Sequence, residues 1–183
     1  MFAGHFGLAA IVRGKVPQLP LWSLLISTQL MDILFFPLLL IGVESMEVIE
    51  ESGLTVIHAY YSHSLVGAII LSVLAGLISK RFWGSKGGVI IGILTFSHWL
   101  LDVIVHLQDM PILAGNMLNL PLLGLSLWSI PKASIALESL LVLVGAIFYF
   151  SYSLTLKKYN LKQRIMQGGF IAVILISSLV FSI

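Results

Sequence analysis

The chain has 183 residues, of which 58% are hydrophobic and 10% charged, with a mean hydropathy of +1.06 and a formal net charge of +2. A soluble domain carries roughly 25% charged residues, so a surface this poor in charge points to a bilayer, and the small net charge with no basic patch argues against a nucleic-acid partner. Cysteine is absent, which excludes disulfides and thiolate metal sites and leaves His, Asp and Glu as available metal ligands.

Residues 1–12 are apolar but too short to span, so they read as a half-helix, a re-entrant or an interfacial segment. No basic stretch precedes them, which argues against a cleaved signal peptide; Arg13 and Lys15 follow instead. The first full span runs from 21 to 43, interrupted by Gln29 and Asp32, with Pro37 as the expected kink. Residues 44–60 carry Glu44, Glu47, Glu50 and Glu51 without Lys or Arg, and read as a solvated loop. The second span is 61–79, followed by Lys80, Arg81 and Lys86; the third is 87–106. A long apolar connection, 107–131, is expected to lie at the membrane interface over the polar residues. The fourth span, 132–155, contains Glu138; Lys157, Lys158, Lys162 and Arg164 fill a loop before the last span, 168–183.

The expected fold is therefore all-α, a polytopic membrane helix bundle of about five spans forming one domain. Basic loops alternate with loops lacking Lys and Arg, apart from Lys132. By the positive-inside rule the basic loops are cytoplasmic, and the segments 44–60 and 107–131 face the opposite side.

Ionisable groups in hydrocarbon cost about 2.5–3.5 kcal/mol each on insertion scales, so their positions are informative. His98, Asp102 and His106 recur every fourth residue and form one helical stripe. Depth, counted at ~1.5 Å per residue, brings Asp32, His63, His98, Asp102 and Glu138 to the outer part of the membrane. His5 joins them if the N-terminal segment re-enters. Neutral imidazoles with carboxylates suit zinc or a similar divalent ion. Each residue also has a plainer role open to it. His98 and Asp102 can form a structural hydrogen bond between helices, Asp32 can relay ions, Glu138 can pair with Lys132, and His58 and His106 can be interfacial. The four tryptophans fit aromatic belts.

The strings GHFG (4–7), TQLMD (28–32), YSHSL (61–65) and SHWLLDVIVH (97–106) resemble the YdjM-like group of bacterial membrane proteins, described as membrane-bound metal-dependent hydrolases. The resemblance covers roughly residues 4–145 in motif order. Tyr60 and His58 depart from it, standing where proline and an acidic residue are expected. It implies His5, Asp32, His63, His98 and Asp102 as metal ligands. A more distant similarity to zinc phospholipase C-like enzymes implies phosphoester chemistry. The expectation is a hydrolase of the bacterial inner membrane, with zinc as cofactor and a lipid or membrane-associated ester as substrate. His106 or Glu138 would serve as catalytic base or extra ligand. The competing expectations are a small transporter using Asp and His as an ion path, and a non-catalytic membrane subunit.

Overall fold

A computed structural model of the chain describes residues 1–51 and 53–180. Its elements are α1 (Phe2–Lys15), α2 (Leu21–Thr28), α3 (Leu30–Leu40), strands β1 (Ser45–Val48) and β2 (Thr55–His58), α4 (Leu65–Val105), α5 (Pro131–Leu154) and α6 (Leu161–Val180). Short 3-10 turns occupy Ala114–Asn119 and Leu127–Ser129. Among the described residues, α4, α5 and α6 are each long and apolar enough to cross a membrane, and α2 with α3 makes a fourth candidate if counted as one broken span. The count by length and composition is thus three or four, against the five expected. The chain divides into two compact units, Met1–Thr28 with Ile135–Ile183, and Gln29–Ser134.

In the first unit, α1 is 14 residues long, about 21 Å of helix, and too short for a hydrocarbon core of ~30 Å. It packs on α5 through small residues. A Cβ on Gly7 would lie 2.5 Å from the Leu141 carbonyl oxygen, and one on Gly145 would strike the Gly7 backbone. The two backbones therefore approach as only glycine allows, a packing mode common between membrane helices. Ala3, Ala10, Val142, Ala146, Tyr149 and Leu175 form the core. Arg13 donates to the Tyr152 hydroxyl at 2.8 Å. The last helix begins at Leu161, seven residues before the expected 168. Asn160 and Gln163 form a reciprocal cap, each backbone N–H donating to the other's side-chain oxygen at 3.1 and 3.0 Å, which starts the helix ahead of Lys162 and Arg164. The last three residues of the expected span, 181–183, lie outside the described residues.

In the second unit, α3 starts after a break at Gln29 (φ −112, ψ 6), so the interruption falls there; Pro37, the expected kink, lies inside the helix. The stretch 44–60 is not a plain loop. It forms an antiparallel hairpin that pairs Ser45 with His58 and Val48 with Thr55. The segment α4 covers 41 residues, roughly 62 Å if straight. It is two arms, 65–82 and 85–105, joined at Trp83 (φ −126) and Gly84 (φ 68). A left-handed φ at Gly84 costs nothing without a Cβ. The arms lie side by side, since a Cβ on Gly76 would sit 2.9 Å from the Gly88 carbonyl oxygen and one on Gly92 3.0 Å from that of Ser72.

The apolar connection 107–131 closes the open end of this hairpin. The carbonyls of Pro111 and Ile112 accept from the N–H groups of Leu65 and Val66 at the start of the first arm. The N–H groups of Leu125 and Ser126 donate to the carbonyls of Val103 and His106 at the end of the second. Helix ends leave such groups without internal partners, and the connection supplies them. Met110 packs with Met31, Ala68 and Trp99 beneath it.

Candidate metal centre

Three segments of the second unit bring polar atoms to one point. The break at Gln29 puts Asp32 in the first turn of α3, where the exposed helix N–H groups favour a carboxylate. His63 lies two residues before α4, ahead of Ser64, whose hydroxyl caps the helix by accepting from the Gly67 N–H at 3.1 Å. His98 and Asp102 come from one face of the second arm of α4.

The distances are short and nearly equal. His63 Nε2 stands 3.3 Å from His98 Nε2, and 3.5 Å from both Asp32 Oδ1 and Asp102 Oδ2. His98 Nε2 stands 3.5 Å from Asp32 Oδ1 and 3.0 Å from Asp102 Oδ2. Asp32, His63 and His98 offer ligand atoms within 4.8 Å of one another, a group that could hold a metal ion. The donor set fits one well. Ligand atoms about 2.0–2.2 Å from a tetrahedral zinc ion are about 3.3–3.6 Å from one another. Two imidazole nitrogens that face each other carry either two lone pairs or two protons unless one proton or a cation sits between them, and a cation satisfies both together with the carboxylates.

The members are unequally covered. The side chains of His63, His98 and Asp102 are at most 4% exposed, whereas that of Asp32 is 29% exposed. The open side of the cluster is therefore the Asp32 side.

A second layer holds these groups. His63 Nδ1 meets the Ser62 hydroxyl at 2.8 Å, and Ser62 donates to the carboxylate of Glu44 at 2.9–3.0 Å. The Trp99 indole N–H donates to the His63 carbonyl at 2.9 Å, and Phe35 packs edge-on to the His63 ring. His106 places Nε2 at 3.8 Å from Asp102 Oδ2 and bonds through Nδ1 to Asp109 Oδ1 at 3.0 Å. The other Asp109 oxygen accepts from the Ile57 N–H of β2 at 2.9 Å, and the Trp128 ring lies 4.4 Å from that of His106.

Of the residues singled out by sequence, Asp32, His63, His98 and Asp102 are thus brought together, with His106 beside them. His5 is buried on α1 in the first unit. Glu138 also belongs to the first unit. Its carboxylate accepts the Gly4 N–H at 3.1 Å and so caps the start of α1. Glu44 corrects the expected solvated loop, because it is 1% exposed. Sequence reasoning assigned Trp99 and Trp128 to aromatic belts and gave Ser62 and Asp109 no part in the site. One signal was available: Asp109 lies three residues beyond His106, within local reach of it. Glu44 had none, since three exposed glutamates follow it closely.

Compared with protein families, characterised proteins and solved structures, the chain finds no match in any of the three.

Proposed function

We propose that this chain is a membrane-embedded metal-dependent hydrolase acting on a lipid or membrane-associated ester or phosphoester, akin to the YdjM-like group that its motifs resemble. One observation carries the reading. Five separations among four ligand atoms from three segments fall between 3.0 and 3.5 Å, close to the edges of a zinc tetrahedron. Asp32, His63, His98 and Asp102 are the proposed ligands, with zinc the ion that best suits two imidazoles and two carboxylates. A bound ion of this type supplies Lewis acidity and brings the pKa of a bound water near neutrality.

The chain's own residues do the rest. Asp32, half-exposed on α3, borders the side from which a substrate would approach. His106 is the proposed base. Its Nδ1–H is tied to Asp109, which leaves the Nε2 lone pair free to accept a proton. The buried Trp99 and Phe35, with the partly buried Trp128, wall the other sides against bulk water.

The proposed topology is five crossings in a bacterial inner membrane. Each arm of α4 is about 27–32 Å long, enough for one crossing, and the break at Gly84 lies among Lys80, Arg81 and Lys86. With α2–α3, α5 and α6 this makes five, with the basic turns cytoplasmic and the hairpin β1–β2 outside.

Metal analysis of gently purified protein is the first test. The expected result is about one zinc per chain. His98→Ala is expected to lose it together with the stabilisation that zinc gives the wild type, while replacement of the exposed Glu50 changes neither. Wild type without metal, no more stable with added zinc than without, removes the hydrolase reading. Labelling of a cysteine at position 50 from the cytoplasmic side alone removes the orientation.

A further inference from the structure

Glu44 is the buried acid that the proposed reaction does not use. Its neighbours Glu47, Glu50 and Glu51 are exposed, yet it is 1% exposed. A carboxylate withdrawn from water needs donors, and Glu44 has three. Its Oε1 accepts the backbone N–H groups of Tyr61 and Ser62 at 2.9 and 2.8 Å. The Ser62 hydroxyl reaches both its oxygens at 3.0 and 2.9 Å.

The direction of the next bond follows from counting protons. A carboxylate only accepts, and a hydroxyl has one proton to give. The Ser62 proton therefore goes to Glu44, and Ser62 Oγ accepts from His63 Nδ1 at 2.8 Å. With Nδ1 protonated, a neutral ring carries its lone pair on Nε2. Nε2 is the atom that stands 3.3 Å from His98 Nε2 and 3.5 Å from both Asp32 and Asp102.

We propose that Glu44, acting through the Ser62 hydroxyl, is a positioning residue of the metal centre, holding His63 in the tautomer that turns its Nε2 lone pair toward the ion. The inference rests on the reading of the cluster as a metal centre and extends that centre to the segment joining α3 to β1. Asp109 bonds His106 Nδ1 directly, so each of these two rings is fixed by an acid outside the ligand set. Outer partners of this kind typically contribute 10- to 100-fold to metal affinity.

The test is zinc affinity, measured by chelator competition on full-length protein in nanodiscs, for wild type, Glu44→Gln, Ser62→Ala and the double variant. Glutamine keeps an oxygen for the two backbone N–H groups but turns its amide N–H toward Ser62. The hydroxyl proton is then forced onto His63 Nδ1, and the lone pair leaves Nε2. Glu44→Gln is expected to bind zinc about 10- to 100-fold more weakly, and Ser62→Ala about tenfold more weakly. In the Ser62→Ala background, Glu44→Gln is expected to change affinity by less than about twofold, because the link is already cut. A Glu44 that serves only to cap the two N–H groups gives no loss with glutamine, and that result overturns the proposal. An equal loss with and without Ser62 overturns it too. Ser62→Ala at wild-type affinity overturns it alone, so the test survives a Glu44 variant that does not fold. Wild type that takes up no zinc overturns the metal-centre reading together with this one; wild type that binds zinc, matched by Glu44→Gln, overturns only this one.

Discussion

In the first unit Glu138 spends its carboxylate on the N–H of Gly4, and Arg13 reaches the Tyr152 hydroxyl; in the second, Asp32, His63, His98 and Asp102 share one another's atoms. Both units hold ionisable groups among apolar helices, at similar cost in hydrocarbon. The difference lies in how that cost is met. A backbone N–H at a helix end is one donor for one acceptor and leaves nothing to bind. Four groups that converge have fewer protons than lone pairs among them and leave room for a cation. An embedded charge is therefore a weak sign of chemistry, and convergence from separate elements is a strong one.

The largest effect is expected where the convergence is cut. Asp102→Ala should weaken zinc binding more than about 100-fold, beyond what loss of an outer-shell partner gives, read by chelator competition. If it retains wild-type affinity, the contrast between the units fails. The next effect belongs to the first unit. Gly145→Leu puts a side chain into the backbone of Gly7 and should cost about 1–3 kcal/mol, seen as a lower thermal midpoint, while the folded fraction keeps its zinc. Metal loss in that variant would mean the first unit supports the site. Gly84→Ala forces a Cβ into a left-handed turn and should cost about 1 kcal/mol, again with zinc retained; an unchanged midpoint would show that the turn between the arms can relax. The smallest effect is Glu138→Gln, which keeps an acceptor for Gly4 but loses its charge at the start of α1. It should cost about 0.3–1 kcal/mol and leave zinc content untouched. Loss of zinc there would make Glu138 a member of the site.

The sequence was legible where a single segment carried the signal. The positions of the apolar runs, the basic turn at 80–86 and the four-residue spacing of His98, Asp102 and His106 all follow from local periodicity and charge. The arms of α4, 65–82 and 85–105, lie close to the apolar runs read at 61–79 and 87–106. What stayed hidden depends on contacts between distant segments. The burial of Glu44 is decided by the turn at Tyr61 and Ser62, far along the chain. The strands β1 and β2 are short, β1 exposed and β2 partly buried at all four positions, so no alternation marks them. The start of α6 hung on a cap, Asn160 with Gln163, within a stretch whose charges read as a loop.

The order of synthesis gives Asp32 a history that the folded structure conceals. It leaves the ribosome ahead of His63, and well ahead of His98 and Asp102. During that interval α3 carries a carboxylate with none of its final neighbours, at about 2.5–3.5 kcal/mol if it enters hydrocarbon alone. Its place in the first turn of α3, beside the break at Gln29, where the helix N-terminus favours a negative charge, lowers that burden from within its own segment. A nascent chain halted before residue 98 should accordingly integrate its first hydrophobic segment less completely than one carrying Asp32→Leu, and the gap should close once the second arm of α4 has emerged. Biogenesis, and not only the finished centre, then constrains where in the segment the acid can stand.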